Sequence, residues 1–133
     1  MTCAGSLDAN VLLRLLLGDI PTQQAAALKL LDSTTRQFAI ADIAISEVVF
    51  VLSRNYRLSR EVICEHLLEF LANEQFHCNR ALVAEALPMY MEHPALSFED
   101  CCLAVHAKLD NLRPLYTFDK KFAKQAPDAQ LVG

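Results

Sequence analysis

The chain has 133 residues, which is enough for one domain with a hydrophobic core. Apolar residues make up 53% of it and charged residues 21%, a composition typical of a folded soluble domain and not of a disordered chain. The formal charge of −4 argues against broad, nonspecific duplex binding driven by counterion release, but it does not exclude a nucleic-acid enzyme with clustered carboxylates.

The predicted elements alternate along the chain. The stretch from Gly5 to Leu17 predicts a strand, a turn and a helix that begins close to Asp8. Further strands are predicted over residues 37–41, 76–78, 114–117 and 129–132. Further helices are predicted over residues 22–32, 42–54, 60–72, 80–92, 97–111 and 120–126. This order predicts an α/β fold, a three-layer α/β/α arrangement with a short, mostly parallel sheet and a high helix content. No linker or repeat interrupts it, so we expect a single domain over residues 1–133.

Two of these helices have unusual sequences. Asp42 is expected to cap the helix over residues 42–54, and apolar residues surround that helix almost completely, so we expect it to lie inside the protein. Pro88 is expected to kink or end the helix over residues 80–92, because proline lacks the amide that a helix interior requires.

The cysteines and the hydropathy pattern indicate a cytoplasmic protein. The five cysteines are odd in number and lack Cys-x-x-Cys spacing, which favours reduced thiols over disulfides or a zinc site. No apolar run reaches the roughly 18 residues that a spanning helix needs, and the N-terminus lacks a secretory pattern, so we expect no membrane association.

Four acidic residues stand out by position. Asp8 follows the first predicted strand, and Asp119 follows the fourth. Asp100 lies in the first turn of the helix that Ser97 begins, and Glu47 lies within the apolar helix over residues 42–54.

Each acid also has a structural interpretation. The three aspartates fit N-cap or turn positions, and Ser97 with Asp100 fits a capping box. Glu47 has no capping role, but a structural ion pair with Arg14 or Arg54 remains an alternative.

Convergence of the acids on a cation explains all four together. In a doubly wound sheet, strand ends and the starts of the following helices share one edge, where open α/β sheets bind ligands. An unpaired buried carboxylate at Glu47 costs several kcal/mol unless something compensates its charge. Hard cations such as Mg²⁺ or Mn²⁺ prefer such oxygen ligands and support phosphodiester hydrolysis by activating water and stabilising the leaving oxygen.

The stretches that contain these acids resemble the four acidic motifs of PIN-domain ribonucleases. They are Ser6-Leu-Asp-Ala-Asn-Val-Leu12, Ile45-Ser-Glu-Val-Val49, Ser97-Phe-Glu-Asp100 and Leu115-Tyr-Thr-Phe-Asp119. In size and layout the chain is similar to the toxins of VapBC toxin–antitoxin systems. The resemblance covers essentially the whole chain.

The resemblance implies a role for each of these residues. Asp8, Glu47, Asp100 and Asp119 would be the catalytic, metal-binding acids. Asn10 and Thr117 would be supporting polar residues that orient a ligand or a water. The family implies a Mg²⁺- or Mn²⁺-dependent endoribonuclease with an RNA substrate, often a homodimer, inhibited by a small antitoxin protein that covers the site.

Some positions depart from the family pattern or stay open. Ala9 replaces the Thr or Ser common beside the first acid, and the sequence does not decide whether Glu99 or Asp100 points inward. Arg14 and Lys120 are candidate phosphate contacts near the acidic edge.

Other reaction classes lack their signals. The four histidines show no metal-binding spacing, and no Gly-x-Ser-x-Gly elbow or Gly-rich phosphate loop is present. Asn10 occupies the place where an aspartate-phosphotransfer site would carry its second acid.

Two functions from different classes remain. The first is a metal-dependent endoribonuclease for single-stranded or structured RNA, acting as a toxin held in check by a partner. The second is a PIN-like RNA- or protein-binding module without turnover.

Overall fold

The computed structural model describes residues 2–133, in which the chain divides into one unit that ends at Asn79 and a second that begins at Arg80. The first unit contains a parallel sheet in the order β1-β2-β3, with Phe38 paired to both Gly5 and Phe76. Its strands are β1 (Gly5–Ser6), β2 (Phe38–Ala39) and β3 (Phe76–His77). Its helices are α1 (Ala9–Leu17), α2 (Pro21–Asp32), α3 (Asp42–Arg54) and α4 (Arg60–Ala72).

Local sequence signals explain where the helices of this unit begin and end. Asp8 caps the start of α1, and Gly18 ends it with φ of 62°, a left-handed conformation that glycine adopts without strain. Pro21 begins α2 at the first helical position, where no amide partner is lost, and the Ser59 hydroxyl caps α4.

Apolar side chains of α1, α3 and α4 form the core of the first unit. Helix α1 packs on α2 and α3, and α3 packs on α4. The side chains that are at most 2% exposed include Leu12, Leu13, Leu52, Ile63 and Leu67. Burying each of these contributes about 1.5–3 kcal/mol relative to exposure.

The second unit combines three helices with a two-stranded parallel sheet. Its helices are α5 (Arg80–Glu92), α6 (Phe98–Leu109) and α7 (Lys120–Gln125), and its strands are β4 (Leu115–Thr117) and β5 (Ala129–Leu131). Helix α5 packs closely on α6, where the Tyr90 and Phe98 rings meet edge to face with centroids 5.6 Å apart.

The α/β class, the high helix content and the parallel pairing are confirmed. The three-layer arrangement and the single domain stay predictions. Within residues 2–133, none of the five cysteines forms a disulfide, and none of the helices is long and apolar enough to span a membrane.

The predictions for α3 are wrong in two respects. Its N-cap is Ala41, and Asp42 is the first helical residue. The helix is also not enclosed, because one face exposes Ile43 (80%) and Phe50 (57%). Apolar residues occupy both its buried and its exposed face, so the sequence periodicity could not distinguish the two.

Pro88 does not end α5, which continues to Glu92. The proline ring lies on the exposed side of the helix, where water can replace the missing amide donor.

Candidate functional site

Asp8 lies on the surface of the first unit, where β1 leads into α1. Its Oδ1 accepts a hydrogen bond from the Val11 amide at 3.0 Å, which is the capping interaction that the sequence allowed. Its Oδ2 accepts no hydrogen bond from residues 2–133. Asp8 also lines a cleft of about 370 Å³ along α1 and α2, together with Asn10, Arg14 and apolar side chains such as Leu30. The cleft thus places three of the predicted site residues side by side.

Arg14 forms an ion pair and a hydrogen bond with two other residues of this unit. Its guanidinium pairs with Asp19 at 3.3 Å and donates a hydrogen bond to the Tyr56 hydroxyl at 3.2 Å. The Tyr56 hydroxyl in turn donates to Asp19 Oδ2 at 2.6 Å. This hydrogen bond, together with the positive charge of Arg14, lowers the pKa of Asp19. Most of the Arg14 charge is therefore balanced within the protein, which weakens its candidacy as a phosphate contact.

Glu47 is exposed on the open face of α3, so the prediction that its carboxylate is buried and needs compensation is wrong. Neither of the basic partners considered for it is used, because Arg14 pairs with Asp19 and the Arg54 guanidinium lies 5.8 Å from the Phe50 ring centroid. Among the residues that the structure describes, Glu47 has no hydrogen-bond or ion-pair partner. Its carboxylate is free to bind a ligand.

A second cleft in the first unit lies at the carboxyl ends of all three strands. It has a volume of about 430 Å³ and is lined by residues at and directly after the ends of β1, β2 and β3, among them Ala41, His77, Cys78 and Asn79. Sequence reasoning did not single out these residues. The one signal for them is their position at the carboxyl ends of strands, where open α/β sheets bind ligands.

Asp100 and Ser97 form the capping box that the sequence indicated in the second unit. Asp100 Oδ2 accepts from the Ser97 amide at 3.2 Å, and Ser97 Oγ accepts from the Asp100 amide at 3.0 Å. Asp100 is half-buried, whereas Glu99 is exposed. Of these two acids, Asp100 is therefore the one turned toward the protein.

Asp119 caps α7 in the same unit. Its Oδ1 accepts from the Phe122 amide at 3.1 Å, and its own amide donates to Thr117 Oγ1 at 2.9 Å. Thr117 thus fixes the backbone that carries the acid, and its predicted role of orienting a ligand or a water stays a prediction. Lys120 follows immediately and is exposed, with no ion-pair partner among the described residues.

The chemistry of these acids fits a hard divalent cation. Within the described part of the chain, each aspartate uses one carboxylate oxygen as a cap and keeps the other without a hydrogen bond, and both Glu47 oxygens are free. Within residues 2–133, no lysine or arginine of the same unit pairs with any of the four carboxylates. Oxygen donors of this kind are the ligands that Mg²⁺ and Mn²⁺ prefer. As placed in the structure, the His, Cys, Asp and Glu side chains of residues 2–133 form no group of three or more that could hold a metal ion.

Comparison with known proteins identifies the class. The PIN domain family matches residues 6–126, a span that includes all four acids and runs through both units, so the chain belongs to the PIN domain family. It is also similar to the VapC ribonuclease of Aquifex aeolicus (strain VF5), with 28% identity over 122 residues that cover 89% of each chain. The family assignment made from the sequence motifs is confirmed.

Proposed function

We propose that this PIN-domain protein is a Mg²⁺- or Mn²⁺-dependent endoribonuclease, the toxin of a VapBC-type toxin–antitoxin pair. Family membership and the similarity to a VapC ribonuclease support a nuclease. The observation that carries the proposal is that the acids of all four motifs keep at least one carboxylate oxygen unpaired among the described residues. The capping hydrogen bonds leave these oxygens available, and cation binding would use them.

Asp8, Glu47, Asp100 and Asp119 would hold the cation, which when bound activates water and stabilises the leaving oxygen of the phosphodiester. The capping hydrogen bonds fix the orientation of the three aspartates before any ligand arrives, which reduces the cost of ordering them. Thr117 holds the backbone of Asp119 in place.

Two other residues would act around these acids. Asn10 contributes an exposed amide beside Asp8. Lys120 is the better of the two candidate phosphate contacts, because the charge of Arg14 is already balanced by Asp19.

The same proposal includes the partners that the family implies. The protein acts in the cytoplasm on RNA, forms a homodimer, and is inhibited by a small antitoxin protein that covers the acids. We further propose that both units belong to one PIN-like domain with three α/β/α layers, since the family match extends across them.

One observation favours a binding module without turnover as the second candidate. Position 9 carries a buried alanine, 5% exposed, where the family commonly has Thr or Ser. The hydroxyl that this family position usually supplies beside the first acid is therefore missing.

RNA cleavage distinguishes the two functions. We expect labelled RNA to be cut with Mn²⁺ or Mg²⁺ and to stay intact with EDTA or with Asp8→Asn. Asp110→Asn is the matched control, because it also removes one exposed carboxylate. Asp110 lies outside the four motifs and pairs with His106. Unchanged cleavage by Asp8→Asn overturns the metal assignment, and RNA binding without cleavage under any of these conditions supports the binding module.

A further inference from the structure

Two exposed aromatic rings stand directly before Asp119. Phe118 is 80% exposed and Tyr116, on β4, is 61% exposed. The Phe118 ring contacts no other ring or guanidinium among the described residues. A large apolar ring this exposed beside a candidate catalytic acid offers a flat surface that no part of residues 2–133 covers.

The charge around these rings is opposite to that of the whole chain. Residues 113–124 contain four basic residues and one acidic residue, while the chain as a whole carries −4. Arg113 pairs with Asp128, but Lys120, Lys121 and Lys124 form no ion pair with any described residue. A locally basic segment within an acidic protein favours a polyanionic occupant over an apolar one.

We propose that Tyr116 and Phe118 form a stacking platform for unpaired nucleobases beside Asp119, with Lys120 and Lys121 contacting the flanking phosphates. The inference rests on the proposed ribonuclease function and deepens it by naming the residues that would bind the unpaired bases and the phosphates beside Asp119. Bases of single-stranded RNA stack on aromatic side chains, and lysines follow the backbone. Bases in a duplex are stacked on each other, so the platform selects single-stranded regions over paired ones.

An exposed apolar side chain with acidic neighbours supplies a control. Leu68 on α4 is 58% exposed, but Glu65 and Glu69 flank it and repel phosphates. Leu68 therefore combines exposure with an acidic setting, whereas Phe118 combines exposure with a basic one.

The absence of tryptophan from the chain makes the platform directly observable. Phe118→Trp keeps an aromatic ring and introduces a single indole fluorophore, and Leu68→Trp is its matched control. With EDTA present to prevent cleavage, we expect a short single-stranded oligoribonucleotide to quench the indole emission of the Phe118→Trp protein and the same strand in a duplex to quench it much less. The indole emission of the Leu68→Trp protein is expected to stay unchanged with either.

Affinity gives a second readout. Phe118→Ala is expected to weaken binding of the single strand by about tenfold in fluorescence anisotropy, and Phe118→Tyr to restore it to within about twofold, as expected for base stacking. Lys120→Ala is expected to lower the slope of log affinity against log salt by about 0.7, the value for one phosphate contact on a single strand.

The outcomes separate this proposal from the function on which it rests. If RNA does not change the indole emission of the Phe118→Trp protein, while that protein still cuts RNA with Mn²⁺, the proposed platform is wrong and the proposed ribonuclease function stands. Quenching by single strands without any cleavage supports the platform and contradicts the ribonuclease. A blue shift of the same emission that depends on protein concentration and not on RNA assigns the rings to contact with a second copy, and overturns the proposal.

Discussion

Asp8 has two roles in this account, as a helix cap and as a metal ligand, and substitutions can separate them. The cap is the 3.0 Å hydrogen bond from the Val11 amide to Oδ1. Alanine removes it and is expected to cost about 1 kcal/mol, since Asp, Asn and Ser are comparable N-caps and Ala is not. For a chain of this length that loss lowers the Tm by about 4 °C. Asparagine keeps the cap and loses only the favourable interaction of a charge with the helix dipole, about 0.5 kcal/mol.

Bound metal would add to the stability of the folded protein, and only the role of Asp8 as a metal ligand predicts this addition. At a Mn²⁺ concentration of about 100 times Kd, the wild-type protein gains about 2.7 kcal/mol, which corresponds to a rise in Tm of about 10 °C. Loss of an outer-shell partner of a metal weakens metal affinity by roughly 10-fold or more, and loss of a direct ligand is expected to weaken it at least as much. The Mn²⁺-induced rise in the Tm of Asp8→Asn therefore falls to about 5 °C or less.

Thermal melts with and without Mn²⁺, followed by circular dichroism, measure both contributions. The expected pattern is an Asp8→Asn protein with near wild-type Tm in EDTA and a much smaller response to Mn²⁺. Asp110→Asn is expected to respond as the wild type does. An equal Mn²⁺-induced rise in Asp8→Asn and in the wild type refutes the metal role of Asp8 and leaves it a cap.

Three further predictions concern the stability of the fold. Asp19→Asn is expected to lower the Tm at neutral pH, because the Tyr56 hydrogen bond keeps the folded-state pKa of Asp19 below its unfolded value. This stabilisation is present above the unfolded pKa and is lost as the pH falls below about 4. The difference in Tm between the wild type and Asp19→Asn should therefore disappear at that pH. Leu52→Ala, at a side chain that is 0% exposed, is expected to cost about 2–5 kcal/mol in urea unfolding, and a loss below that range would contradict the tight packing of α3. Ser97→Ala is expected to cost about 1 kcal/mol by removing the hydroxyl that accepts the Asp100 amide, with Ser97→Asn as the restoring control; equal stability of the two variants would contradict the capping box.

Local signals explain what the sequence predicted well. The caps at Asp8, Ser97 and Asp119 each join residues three apart, so a short sequence pattern contains the whole interaction. The parallel α/β arrangement follows from the alternation of strands and helices along the chain.

Burial was predicted less well, because it depends on what packs against each helix face. Glu47 is surrounded by apolar neighbours in sequence, yet its face of α3 is open. In α2 the apolar residues Leu28 and Leu30 are 47% and 44% exposed, and Ala27 and Leu31 form the buried side instead. No window of sequence shows which of two apolar faces meets a neighbour.

The sequence also could not predict polar contacts between residues that are far apart along the chain. The position of Arg14 near Asp8 in the sequence predicts a phosphate contact. In the structure, Arg14 instead donates a hydrogen bond to Tyr56, which is 42 residues away, and forms an ion pair with Asp19. The sequence likewise does not mark Tyr116 and Phe118 as binding residues, because only the structure shows that Phe118 is exposed and not part of the core.

The most direct test of the account is Mn²⁺ binding by the purified protein, titrated by electron paramagnetic resonance. The wild-type chain is expected to bind Mn²⁺, and Asp8→Asn, Glu47→Gln, Asp100→Asn and Asp119→Asn are each expected to weaken binding by about tenfold or more. Asp110→Asn is expected to bind as the wild type does. Wild-type affinity in any of the four variants would remove that residue from the metal-binding set, and wild-type affinity in all four would contradict the central claim.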